Sequence, residues 1–148
     1  MQKLKPYLIS ISLTLAIGAL SALFTMNNMD IYQNITKPPI APPSIVFPIV
    51  WTILYILMGI SSARIYNKGG SLTVYFLQLF LNFCWSIIFF NYQAYLFAFL
   101  WLILLWISIL YMILDFYKTD KLATYLQIPY LLWVTFAGIL NLMIYLLN

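Results

Sequence analysis

Histidine and glutamate do not occur in this chain, cysteine occurs once, and charged side chains make up only 7% of its 148 residues. Each shortage excludes something. Without histidine there is no Ser-His-Asp or Cys-His nucleophile set, no usual axial ligand for haem, and no cluster of cysteine, histidine and carboxylate to hold a metal. Without glutamate, the paired carboxylates of acid/base catalysis have no residues to draw on. No aspartate falls in the middle of an apolar run, so the buried ionisable groups of ion-driven transporters are missing too. Cys84 has no second cysteine to pair with, and in an apolar stretch it says nothing about redox compartment. A soluble domain usually carries about a quarter charged residues to cover its surface. Here 65% of residues are hydrophobic, and the solvent that suits them is lipid.

What charge there is falls in a pattern. Between Lys5 and Asp30 lie 24 uncharged residues, between Lys37 and Arg64 lie 26, between Lys68 and Asp115 lie 46, and 27 follow Lys121. A membrane helix needs roughly 20 apolar residues. The 46-residue gap would make a single helix about 69 Å long, so it must turn, and Asn91-Tyr92-Gln93 is the polar break within it. The chain therefore reads as one all-α membrane domain over 1–148, a five-transmembrane-helix bundle with helices near 6–26, 44–66, 72–90, 94–117 and 122–147. A β-barrel does not fit, because its strands alternate apolar and polar residues and these runs are apolar on all sides.

Five spans place Lys3, Lys5, Arg64, Lys68, Lys118 and Lys121 on one side and only Lys37 on the other. This positive-inside bias puts the N-terminus in the cytoplasm and the C-terminus outside, at the inner membrane of a bacterial host. A secretory signal is the rival reading of 1–26, with a basic start, an apolar run and small residues at Ala19 and Ser21; its cleavage would leave four spans. The net charge of +4 is spread over short loops and never joins a reading module, so no nucleic-acid partner is expected.

The connection 27–43 ends in Lys37-Pro38-Pro39-Ile40-Ala41-Pro42-Pro43. Its prolines stiffen and extend it, which suits a lid folded back over the bundle. It equally suits a linker whose second proline pair starts helix 2. Inside the spans, three stripes share a character. Trp51, Tyr55, Met58 and Ser62 lie on one face of helix 2; Gln78, Asn82, Trp85 and Phe89 on one face of helix 3; Tyr130, Trp133, Ala137 and Asn141 on one face of helix 5. Amides in hydrocarbon are costly without partners, so these faces should point inward. Interhelical hydrogen bonding alone would account for any single amide. Three aromatic-plus-amide stripes together describe a small-molecule pocket, with flat walls suited to a flat apolar ligand. Helix 1 adds only Ser10, Thr14, Gly18 and Ala22 at four-residue spacing, a small-residue pattern for close helix packing within the bundle or between copies. Trp101 and Trp106 fall outside the stripes.

Four segments carry a resemblance: Lys37–Pro43; Trp51-Thr52-Ile53-Leu54-Tyr55-Ile56-Leu57-Met58-Gly59; Gln78 through Asn82-Phe83-Cys84-Trp85-Ser86 to Phe90; and Pro129-Tyr130-Leu131-Leu132-Trp133, continuing through Phe136-Ala137 and Leu140-Asn141. In this order and over nearly the whole chain, the sequence resembles the TspO/MBR family, the tryptophan-rich sensory proteins of bacteria and the mitochondrial translocator protein. The resemblance implies a five-helix bundle with a ligand pocket under the loop between helices 1 and 2. It also implies a tetrapyrrole as ligand, a porphyrin or haem precursor, with no obligatory cofactor and no metal. Membrane lipid and, since members are often homodimers, a second copy of the chain are the other partners it suggests. The family's pocket positions fall on Tyr32, Pro42, Trp51, Tyr55, Asn82, Ser86, Phe89, Trp133 and Ala137. Two departures stand out. The position between the proline pairs is often aromatic in the family and is Ile40 here. The basic residue that follows a tyrosine in the mitochondrial members' sterol pattern is missing after Tyr145. The resemblance implies first a receptor or sensor. The alternatives are an enzyme that degrades porphyrin oxidatively or with light, using Trp51 and Trp133, and a facilitator of tetrapyrrole or lipid transport.

Overall fold

Every uncharged run becomes helix in the computed structural model, which describes residues 4–28 and 34–148. The helices are α1 (Leu4–Thr25), α2 (Val46–Asn67), α3 (Thr73–Ser86, continuing as a π-helical turn over Ile87–Asn91), α4 (Tyr95–Tyr117) and α5 (Lys121–Leu147). No strand occurs among the described residues. Each of the five is long and apolar enough to cross a membrane, which fits an integral multi-pass membrane protein. The turns fall where the sequence breaks. After α2, Gly69 takes a left-handed φ of 76°, which a residue without Cβ adopts freely. Gly70 N–H then closes the helix end on Ile65 O at 2.9 Å. The break at 91–94 turns through Gln93, at φ 52°.

The helices close into a ring in the order α1, α2, α5, α4, α3 and back to α1. Where α1 meets α2, the two backbones come as close as Gly59 allows: a Cβ there would lie 2.6 Å from Ile11 Cα. Thr14, fully buried on α1, donates its hydroxyl to Tyr55 O of α2 at 2.7 Å. The small-residue stripe of helix 1 is thus an internal packing face in its lower half. The second proline pair does not start helix 2. Val46 N–H bonds Pro43 O ahead of the helix, and Pro48 occupies its first turn.

At the charged end, Asp120 caps no backbone N–H with its side chain. Its carboxylate, 6% exposed, instead takes Arg64 Nε and Lys68 Nζ of α2, the latter at 3.0 Å. This clamps the start of α5 to the end of α2. The Arg64 hydrogen bond, with help from Lys68, holds the Asp120 pKa down at about 2 against an ordinary 3.8. A depressed carboxylate pKa stabilises the fold above the unfolded value and ceases to as pH falls through the folded one. Asp120→Asn is therefore expected to lower stability by about 1–3 kcal/mol at neutral pH, discounted because both cations are partly exposed. In thermal unfolding, the margin between wild type and variant should be constant above about pH 5 and vanish as pH approaches about 2. A margin that stays constant down to pH 2 would remove the clamp from the account.

Candidate functional site

All three aromatic-plus-amide stripes face the inside of the ring. Tyr55, Met58, Ser62, Gln78, Asn82, Phe89, Tyr130, Ala137 and Asn141 are buried; Trp51, Trp85 and Trp133 are partly so. Between α1, α2, α3 and α5 they leave a cavity of about 440 Å3, within the usual range for small-molecule sites. Trp51, Tyr55, Asn82, Ser86, Phe89, Trp133 and Ala137 all line it. Pro42 does not line it, and Tyr32 lies outside the described residues. Ile40 is 46% exposed and is not among the lining residues.

The walls are set by ring geometry. Trp51 stacks on Tyr55 with centroids 5.6 Å apart and planes 30° from parallel. Trp133 stands perpendicular to Trp51, at 88° and 6.5 Å, so the two indoles form a corner. Phe47 meets Trp133 edge-on, and on the facing wall Trp85 lies 5.4 Å from Phe89. The Trp133 indole nitrogen is buried and has no partner among the described residues. Pro129, one turn before Trp133, leaves the Tyr125 carbonyl without its helical donor.

The amides are held from below and from the side. Tyr55 Oη donates to Asn82 Oδ1 at 2.9 Å, Asn82 Nδ2 to Tyr130 Oη at 2.7 Å, and Tyr130 Oη to Gln78 Oε1 at 2.7 Å. This one-directional chain ties α2, α3 and α5 together beneath the cavity, and aligned chains of this kind reinforce each bond. Asn141 accepts from Trp85 Nε1 at 3.1 Å and donates to Tyr95 O of α4 at 2.8 Å. Hydrogen bonding between helices therefore occupies every one of these amides in part, while Asn82 and Asn141 still present themselves to the cavity.

The stripes do not disclose the fourth wall. Leu15, Gly18, Ala19, Ser21, Ala22 and Thr25 of α1 supply it. Gly18 lies flat under the Tyr55 ring, where a Cβ would come within 2.7 Å. Ser86 donates to Phe83 O, which leaves Ser21 as the donor to Ser86 Oγ. Ala19 and Ala22 on α1, and Pro48 and Thr52 on α2, line the cavity and are themselves exposed, so the cavity opens on the face between these two helices. The only sequence signal for this wall is the run of small residues at four-residue spacing. At the far end, Ile35 and Ala41 of the described loop pack against the buried cluster of Phe89, Ala98, Leu140 and Ile144. Asn148 holds Thr36 at both its N–H (3.1 Å) and its carbonyl (2.8 Å).

Residues 10–147 match the model of the TspO/MBR family. The chain is 38% identical over 146 residues to the tryptophan-rich protein TspO of Chlorobaculum tepidum, covering 93% of this chain and 92% of the relative. It is 39% identical over 145 residues to the TspO protein of Archaeoglobus fulgidus, covering 94% of each. With the human translocator protein it shares 32% identity over 118 residues, 74% of this chain and 70% of the relative.

Proposed function

The chain belongs to the TspO/MBR family, and on that premise we propose that it is a membrane receptor or sensor that binds a tetrapyrrole in the cavity between α1, α2, α3 and α5. The observation that carries the reading is the corner of Trp51 and Trp133. A flat macrocycle laid on one indole meets the edge of the other, and offset stacking gains about 0.5–1.5 kcal/mol per ring beyond the area buried. Tyr55, Ser86, Phe89 and Ala137 complete the contact surface, and Asn82 meets a polar edge. The unpartnered Trp133 nitrogen is a donor for a ring substituent. Pro42 and Tyr32 join the proposed site as loop positions of the family pattern; Pro42 does not line the cavity, and Tyr32 lies outside the described residues. The crowding of lysine and arginine at the Asp120 end supports a cytoplasmic position for that end. Impermeant-thiol labelling of a cysteine placed at position 118 reads this directly, and labelling from outside would reverse it. Membrane lipid surrounds the bundle, and a second copy of the chain is the partner in a dimer.

Titration of the purified protein with protoporphyrin IX, followed by tryptophan quenching in the dark, is expected to saturate at micromolar ligand. Linear, unsaturable quenching would remove the tetrapyrrole and direct the search to lipids. The second reading is a porphyrin-degrading enzyme, favoured by two indoles 6.5 Å apart in one wall and able to pass an electron to a bound ring. Illumination of the same samples separates the two: a new product spectrum that needs Trp51 and Trp133 supports the enzyme, and an unchanged porphyrin spectrum supports the receptor.

A further inference from the structure

One turn below the Tyr130–Gln78 bond lies a second polar group of side chains, outside the cavity lining. Gln127 is wholly buried, and neither its Nε2 nor its Oε1 has a partner among the described residues. The same holds for Gln78 Nε2 and Tyr75 Oη, on residues 0% and 2% exposed. Their spacing along two parallel helices sets the four atoms at adjacent depths. Tyr75 precedes Gln78 by three residues on α3, and Gln127 precedes Tyr130 by three on α5. Both helices start at the charged end and run the same way, so Tyr75 and Gln127 stand at one depth, about 4.5 Å beneath the bonded pair. Ser62 faces Tyr75 from α2 and gives its own hydrogen to Gly59 O at 3.2 Å.

A single buried polar atom left without a partner loses its hydration with nothing to replace it. Four on neighbouring turns of the buried faces of α3 and α5, in a bundle surrounded by lipid, call for a bound group that satisfies them. We propose that Gln127, Gln78 and Tyr75 form an internal water site holding one or two molecules. The inventory selects water over a cation. Two of the four atoms are amide nitrogens, which repel a cation and need an acceptor; one is a carbonyl, which needs a donor; the phenol serves as either. Exchanging the oxygen and nitrogen of Gln127 leaves this inventory unchanged. A buried water makes about three such bonds, so one or two suffice. The water prolongs the Tyr55–Asn82–Tyr130–Gln78 chain by a turn toward Thr124, which donates to Asp120 O at 3.2 Å. Polar side chains then follow one face of α5 from the cavity floor to the Asp120 clamp. This inference does not depend on the identity of the cavity's ligand.

The test is a double-mutant cycle on the full chain in detergent, with Gln127→Leu, Tyr75→Phe and both together. If water bridges the two residues, each single change strands it and lowers the unfolding midpoint by roughly 3–6 °C. The double variant then loses clearly less than the sum, because the water leaves with both partners. A rise in midpoint for Gln127→Leu, or strict additivity, would overturn the site, since both describe a dry pair. X-ray radiolysis of the wild-type protein provides a reading independent of variant folding. Water at the site should hydroxylate the buried Tyr75 ring, and an unlabelled Tyr75 overturns the proposal.

Discussion

Changing Trp51 and Trp133 together to alanine is expected to weaken protoporphyrin IX binding by more than about a hundredfold, with the helical far-UV signal unchanged. Each indole contributes a face of buried apolar contact, and losing one aromatic surface costs about 1.5–3 kcal/mol. Two such losses exceed the 2.7 kcal/mol or so that a hundredfold change represents. The single change Trp133→Phe is more diagnostic though smaller. It keeps one flat ring in the wall and removes the indole N–H, which has no partner among the described residues, along with the area of the second ring. A loss of about threefold to tenfold is expected from the missing hydrogen bond and the smaller ring together. Two other tryptophans serve as controls. Trp101 Nε1 is bonded to Leu81 O at 2.8 Å and Trp106 Nε1 to Thr135 Oγ1 at 2.8 Å, and neither residue lines the cavity. Trp101→Phe and Trp106→Phe should leave the dissociation constant unchanged. Equal affinity in the Trp51/Trp133 double variant and the wild type would sink the assignment of the cavity.

Much of this arrangement could be read before any coordinates, for a physical reason. In lipid a charge or an amide is expensive wherever it lies, so its position along the chain is informative. Gaps between charges marked the helices to within a few residues, and the period of the amides marked their inward faces. The cavity wall from α1 was not legible in the same way. Leu15, Ala19 and Ala22 are apolar residues on an apolar helix, and lipid and protein interior demand the same side chains there. The π-helical turn at Ile87–Asn91 leaves no pattern in composition either. Its C-terminal end is closed by Tyr92 N–H reaching Ile87 O, five residues back, at 3.3 Å. Asp120 illustrates a third limit. From sequence it is one charge among several in a short loop; only its burial between Arg64 and Lys68 makes it a clamp. Gln127 lies at the other extreme. An amide deep in an apolar helix is conspicuous, yet its partners come from helices whose rotation the sequence does not fix.

The second large effect is expected at a residue with no side chain. Gly59 lies in the middle of α2, where alanine would ordinarily favour the helix by up to about 1 kcal/mol. Here the sign should reverse. A Cβ at position 59 would sit 2.6 Å from Ile11 Cα and 2.8 Å from Ile11 N, and backbone atoms cannot swing aside as a side chain does. α1 must retreat from α2, and the Thr14 hydroxyl then loses Tyr55 O, 2.7 Å away. Overpacking and the lost bond together amount to about 2–4 kcal/mol for Gly59→Leu, a fall of roughly 5–10 °C in unfolding midpoint. The consequence reaches the cavity, because Gly18 of α1 rests on the Tyr55 ring that stacks with Trp51. Separating the helices loosens that floor, so ligand affinity should fall along with stability although no residue of the wall has been changed. A midpoint that rises in Gly59→Ala would mean that the helices part at no cost and that helix propensity governs the position. A fall in stability with affinity intact would mean that the α1–α2 contact supports the bundle without shaping its cavity.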